Sequence, residues 1–228
     1  MLDGACPVIE SDLLTVGWRI VSFAAALAVV FVAARGIPWR EWRERSHLQN
    51  VYLGSLTGVG LVWTMQAGIT ADLSMHFLLV TTLTLMHGWR LAVIGITVIL
   101  AAMAIAGQIA PAAIPVNLLC VGLVPVAVTS AIHRLVEARL PNNYFVYFFV
   151  TVFAGSAVAF NAAGLARLFV LLSSGAPVSG HIGPEFVVWI PMMSFAEAFL
   201  NGMLMAIFVV YRPEWVASFD DRKYLRRR

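Results

Sequence analysis

Charge is what this sequence has least of. Asp, Glu, Lys and Arg supply 12% of its 228 residues, against 61% hydrophobic residues and a mean hydropathy of +0.86. A soluble domain carries about 25% charged and about 45–50% apolar residues. An ordinary soluble enzyme and a disordered regulator are both excluded. Cysteine is nearly missing. Cys6 and Cys120 are too few for a disulfide framework, and no CxxC pair points to zinc or redox chemistry. Lysine is rarer still, with Lys223 alone among 15 basic residues. No GxxxxGK[ST] loop is present, so the chain is not its own ATPase. HExxH and GxSxG are missing too, and no regular arginine ladder marks a voltage sensor. The chain is read as no enzyme and as holding no permanent cofactor. The opening stretch carries Asp3, Glu10 and Asp12, where a signal peptide starts basic.

Apolar runs fill the rest. At about 20 residues per span, the length leaves room for six to eight membrane helices. The sequence is read as all-α and polytopic, a single integral membrane domain over 1–228. Seven spans are expected, at about 14–34, 49–68, 73–88, 90–107, 112–135, 143–172 and 186–211. The third is short and polar (Ser74, His76, Thr81, Thr82, Thr84, His87) and needs neighbours around it. The fifth carries Pro115 and Pro125, which predict kinks. The sixth is long enough to tilt.

The charges order these spans. Arg35, Arg40, Arg43 and Arg45 follow the first, and Arg90 the third. Arg134 and Arg139 follow the fifth; Arg212, Arg222, Lys223, Arg226, Arg227 and Arg228 follow the seventh. Thirteen of 15 basic residues thus fall on alternate connections. Arg19 and Arg167 lie inside spans, and the opposite connections hold Asp3, Glu10, Asp12, Asp72 and Glu185. The positive-inside bias then puts the N-terminus and segment 1–13 outside, and the basic tail 212–228 in the cytoplasm. That tail suits anionic lipid or a cytoplasmic partner. The same bias explains the net charge of +3 without nucleic acid.

Few polar groups can carry chemistry. His76 opens the third span, where Asp72 or Ser74 could cap a helix. A helix N-terminus disfavours positive charge and keeps the imidazole in its metal-binding form. The alternative is a buried histidine bonded to a carbonyl. Met75 beside it would suit a soft metal such as copper, or is packing. Glu197 lies near the middle of span seven with Asn201 one turn on. A carboxylate at that depth costs about 2.5–3.5 kcal/mol and faces a cavity or a partner. It reads as a cation or proton site, or as half of a pair with Arg19, Arg167, Asn117 or Asn161, Arg167 being the best placed. Asn117 and Asn161 are explained by interhelical hydrogen bonds, and Asn117 also counts among the buried polar groups of an ion path. His181 and Glu185 sit on a Gly/Pro-rich outer loop. Gly54, Gly58, Gly155 and Gly164 predict close helix packing.

Three stretches resemble the CbiM/NikM group, the substrate-binding membrane components of cobalt and nickel energy-coupling-factor transporters. They are Leu73-Ser-Met-His76 through His87-Gly-Trp-Arg90, Ile114-Pro-Val-Asn117 through Gly122, and Glu197-Ala-Phe-Leu-Asn201-Gly-Met to the end. The resemblance implies seven helices with the N-terminus outside. It also implies a bacterial inner-membrane location and work with separate ATPase and transmembrane coupling subunits. It implies a metal site built from the N-terminal amine, a histidine at position two and a later histidine. His76 matches the later histidine. Position two is Leu2, so Met1, Asp3 or Cys6 would have to substitute, Cys6 favouring copper. The substrate would be a transition-metal ion. The alternative is an accessory or assembly subunit that kept the fold without transport.

Overall fold

The computed structural model describes residues 9, 14–65, 67–70, 73–75, 77–174, 182–220 and 224, with backbone alone for 67–70, 73–75 and 182–187. The molecule is a helical bundle. In chain order, α1 is Val16–Arg35, α2 the short Trp39–Glu44 and α3 Ser46–Thr64. A small antiparallel ribbon follows, β1 Ala67–Thr70 paired with β2 Leu73–Met75. Then come α4 Val80–Ile105, α5 Pro111–Arg139, α6 Tyr144–Ser173 and α7 Ile182–Tyr211. Among the described residues five helices are long and apolar enough to cross a membrane: α1, α4, α5, α6 and most of α7. α3 is as long as a span, but Ser46, His47, Gln49, Asn50, Ser55 and Thr57 lower its apolarity.

Apolar side chains face outward as well as inward. Val16, Ile20, Phe23, Leu27 and Phe31 of α1 are all more than half exposed, at helical spacing along one face. A soluble protein rarely exposes so large an apolar surface. Lipid is the solvent that suits it. The buried side of the bundle centres on α4, α5 and α6, with Val93, Ile96, Leu100, Val116, Leu118 and Phe160 in one cluster.

The expected third span departs most from the reading. No helix starts at Leu73: residues 73–75 are strand, and helix begins only at Val80. It then breaks at Gly88, whose φ of 80° and ψ of 161° are open to glycine and strained for any residue with a Cβ. The expected third and fourth spans are therefore an eight-residue half-helix, 80–87, and a full helix after the break. The break is held from several sides. Arg90 donates to the Gly36 carbonyl at 2.8 Å, and the Tyr52 hydroxyl to the Leu91 carbonyl at 2.9 Å. His87 Nε2 meets Ser55 Oγ at 3.0 Å, and the Ala217 and Ser218 amides reach the Met86 and Leu85 carbonyls. The end of α1, the start of α3, the break and the tail thus gather at one end of the bundle.

The prolines of α5 flank an irregular stretch of helix. Between Pro115 and Pro125 the helix opens into a π-helical run, Leu118–Leu123. A proline lacks an N–H and crowds the carbonyl four residues back, and a wider turn relieves both. Of the four glycines expected to pack closely, Gly164 does so, Gly155 makes ordinary contact, and Gly54 and Gly58 do not; Gly95 is a further close approach. A Cβ on Gly54 or Gly58 would meet nothing within 4 Å, whereas one on Gly164 would press on Ile190, and one on Gly95 on Leu56 and Tyr52.

Candidate functional site

The half-helix begins deep in the bundle, beside Glu197, midway along α7. The first N–H groups of any helix have no partner within the helix. In an apolar interior each must find one. Here the partners come from α7. Glu197 Oε1 accepts the Leu79 N–H at 2.7 Å and Oε2 the Leu78 N–H at 2.9 Å. Asn201 Oδ1 accepts the Thr82 N–H at 2.9 Å and the Thr82 hydroxyl at 2.7 Å. Asn201 Nδ2 donates to Glu197 Oε1 and to the Glu197 carbonyl, each at 2.8 Å. From α3, Trp63 Nε1 donates to the Leu78 carbonyl at 3.0 Å. Glu197 is 2% exposed, and Asn201 and Trp63 are fully buried.

One residue of this turn is strained. Leu79 has φ 52° and ψ 14°, the left-handed region that a leucine rarely adopts. Such a conformation persists where its surroundings over-determine it. The three acceptor and donor arms from α7 and α3 do so here. A negative group at a helix N-terminus also complements the helix dipole. Glu197 with Asn201 is the cap that Asp72 or Ser74 was expected to provide.

The expected partner of Glu197 therefore changes. Its oxygens are held by two backbone amides and the Asn201 amide, not by Arg19, Arg167, Asn117 or Asn161. The physical reason is that a broken helix offers unpaired N–H groups closer than any guanidinium. Asn201 on the next turn, read from spacing, does share the site. Thr82, Trp63 and the backbone of Leu78 and Leu79 were not foreseen. The polarity of span three was their signal.

Asn117 makes a second clamp. Its Oδ1 accepts the Ile9 N–H at 2.9 Å and its Nδ2 donates to the Ile9 carbonyl at 3.0 Å and to Ala113 at 2.7 Å. Asn117 is fully buried and Ile9 is 1% exposed. The predicted interhelical bond is instead a bond to the backbone of Ile9, ahead of α1, which is buried in the core. Asn161 donates only along its own helix, to the Ala157 carbonyl at 2.7 Å.

Met1, Asp3, Cys6, Asp72, His76 and His181 lie outside the described residues. Met75 ends strand β2 instead of sitting on a helix, paired with Ala67; its side chain, like that of Glu185, is outside the description. Among the described residues no three His, Cys, Asp or Glu side chains converge. His87 faces Ser55, and His47 accepts from Trp215 Nε1 at 3.1 Å, both away from Glu197.

A half-helix that starts inside an apolar bundle, capped by a buried carboxylate, defines a class of polytopic membrane protein in which irregular backbone is tolerated because protein surrounds it. Residues 9–215 match the CbiM family, described as "Cobalt uptake substrate-specific transmembrane region", and the chain belongs to that family. Two crystal structures share the fold. One, titled as a transition metal transporter, has 18% identity and a TM-score of 0.68, over 88% of this chain and 92% of that one. The other, titled as a truncated transition metal transporter, has 19% identity and a TM-score of 0.70, over 89% and 98%. No curated protein matches.

Proposed function

We propose that this chain is the substrate-binding membrane component of a transition-metal uptake transporter of the energy-coupling-factor type. It crosses the bacterial inner membrane seven times, the third crossing made by the ribbon and the half-helix, with the N-terminus outside and the tail inside. Separate ATPase and transmembrane coupling subunits power it. The observation that carries this reading is the family match over residues 9–215, nearly the whole chain. The clamps support it. Each holds chain near a ligand that the resemblance implies: Asn117 holds Ile9, ahead of α1 as the N-terminal amine is, and Glu197 with Asn201 holds Leu78, Leu79 and Thr82, which follow His76.

The ion is the substrate, drawn from cobalt, nickel or copper. His76 is the imidazole donor, with Met1, Asp3, Cys6 and Met75 the other candidate donors. Thiolate or thioether donors would shift selectivity toward copper, and an imidazole with amine or carboxylate toward cobalt or nickel. Because ligands must shed protons to bind, loading releases protons into solution. The test is metal content of the purified protein, wild type beside His76→Ala, after exposure to cobalt, nickel, copper and zinc salts. Stoichiometric metal lost in the variant supports the reading. A metal-free wild type overturns it and returns the accessory-subunit alternative.

A further inference from the structure

We propose that Glu197 is a positioning residue for metal binding. Its carboxylate clamps the turn at Leu78 and Leu79, and so fixes the chain two residues from His76, without ligating the ion. This rests on the metal-transport reading above.

Both carboxylate oxygens are already engaged by three donors at 2.7–2.9 Å, in a pocket that leaves Glu197 2% exposed. The Leu78–Leu79 peptide group is gripped at both ends, its carbonyl by Trp63 Nε1 and its N–H by Glu197 Oε1, while Oε2 holds the Leu78 N–H. Leu79 is held in a left-handed conformation that leucine would leave if released. Thr82, on the first turn of the half-helix, is fixed through Asn201, which also orients the carboxylate. Every free choice of the turn is removed by side chains of α3 and α7. His76 precedes Leu78 by two residues, a reach of at most about 7 Å. A point fixed so near limits where the imidazole can go, and donors held in place bind a metal more tightly than mobile ones.

Glu197→Gln tests this with almost no change in size. Glutamine keeps one acceptor oxygen but turns the other arm into an N–H donor facing a backbone N–H. The expected result is a Kd for cobalt weakened about tenfold or more, the range seen when a group supporting a ligand is lost. The Co(II) absorption bands keep their positions, because the ligand set is unchanged. Amide exchange over 77–83 should also rise about tenfold, with α5 and α6 unaffected. A wild type that binds cobalt and a variant with the same Kd would overturn the proposal while leaving the transport reading intact. Shifted absorption bands would overturn it too, by making Glu197 a ligand. Exchange rising equally across the bundle would mean general destabilisation and would also count against it. A wild type that binds no metal would overturn the transport reading itself. Should Glu197→Gln fail to fold, Trp63→Phe removes the opposite arm, and the same three readouts decide.

Discussion

Replacing Asn201 with leucine removes the hub of the cap at almost constant volume. Four hydrogen bonds disappear: two into Oδ1 from Thr82 and two from Nδ2 to Glu197. They do not weigh equally. The Thr82 hydroxyl can turn back to a carbonyl of its own helix. The Thr82 N–H is a first-turn donor with no such choice, and leaving it unpaired and buried costs about 1–3 kcal/mol. Glu197 Oε1 keeps the Leu79 N–H and loses one donor, at roughly the 0.6–1.7 kcal/mol measured for polar contacts within membranes. The sum is about 2–5 kcal/mol. Asn161→Leu is the control. That side chain bonds only a carbonyl of its own helix, and its loss should cost about 0.5 kcal/mol or less. The assay is reversible unfolding in mixed detergent micelles, followed by tryptophan fluorescence. If Asn201→Leu costs less than about 1 kcal/mol, or no more than the control, the cap does not hold the half-helix and the reasoning is refuted.

Other perturbations separate the parts of the account. Asn117→Leu should free the segment around Ile9, and loss of its two hydrogen bonds to Ile9, about 1.4 kcal/mol or more in total, predicts roughly tenfold faster cleavage after Glu10 by a Glu-specific protease. Unchanged cleavage would show that Asn117 does not anchor the segment. Gly95→Val drives a side chain into Leu56 and Tyr52 and should cost about 1–3 kcal/mol by overpacking. At Gly54 an added Cβ meets nothing within 4 Å, and Gly54→Val should stay within about 0.5 kcal/mol. Equal effects in the same unfolding assay would contradict the α3–α4 contact.

The long apolar runs were legible because hydrophobicity and length decide a span before any partner is known. The reading 112–135 became Pro111–Arg139, and 143–172 became Tyr144–Ser173. Pro115 and Pro125 announced an irregular α5, though not that the irregularity would be a π-helical run. What stayed illegible was long-range. The backbone donors to Glu197 sit 118 and 119 residues away, and backbone amides leave no residue type to read. Arginine was the natural guess for a buried carboxylate, because only side chains show in a sequence. The start of α4 failed for the same reason: a local cap at Asp72 or Ser74 is visible, whereas a cap delivered from α7 is not. Asn117 was visible as a buried polar residue, but its partner, the backbone of Ile9, was not.

Binding of a transition-metal ion through His76 is the proposal on which the others depend. Elemental analysis by mass spectrometry, on protein purified in detergent and exposed in turn to cobalt, nickel, copper and zinc, tests it most directly. Close to one ion per chain is expected for one of these metals, lost in His76→Ala while the fold survives. Wild type without metal, or metal retained by His76→Ala, would contradict it.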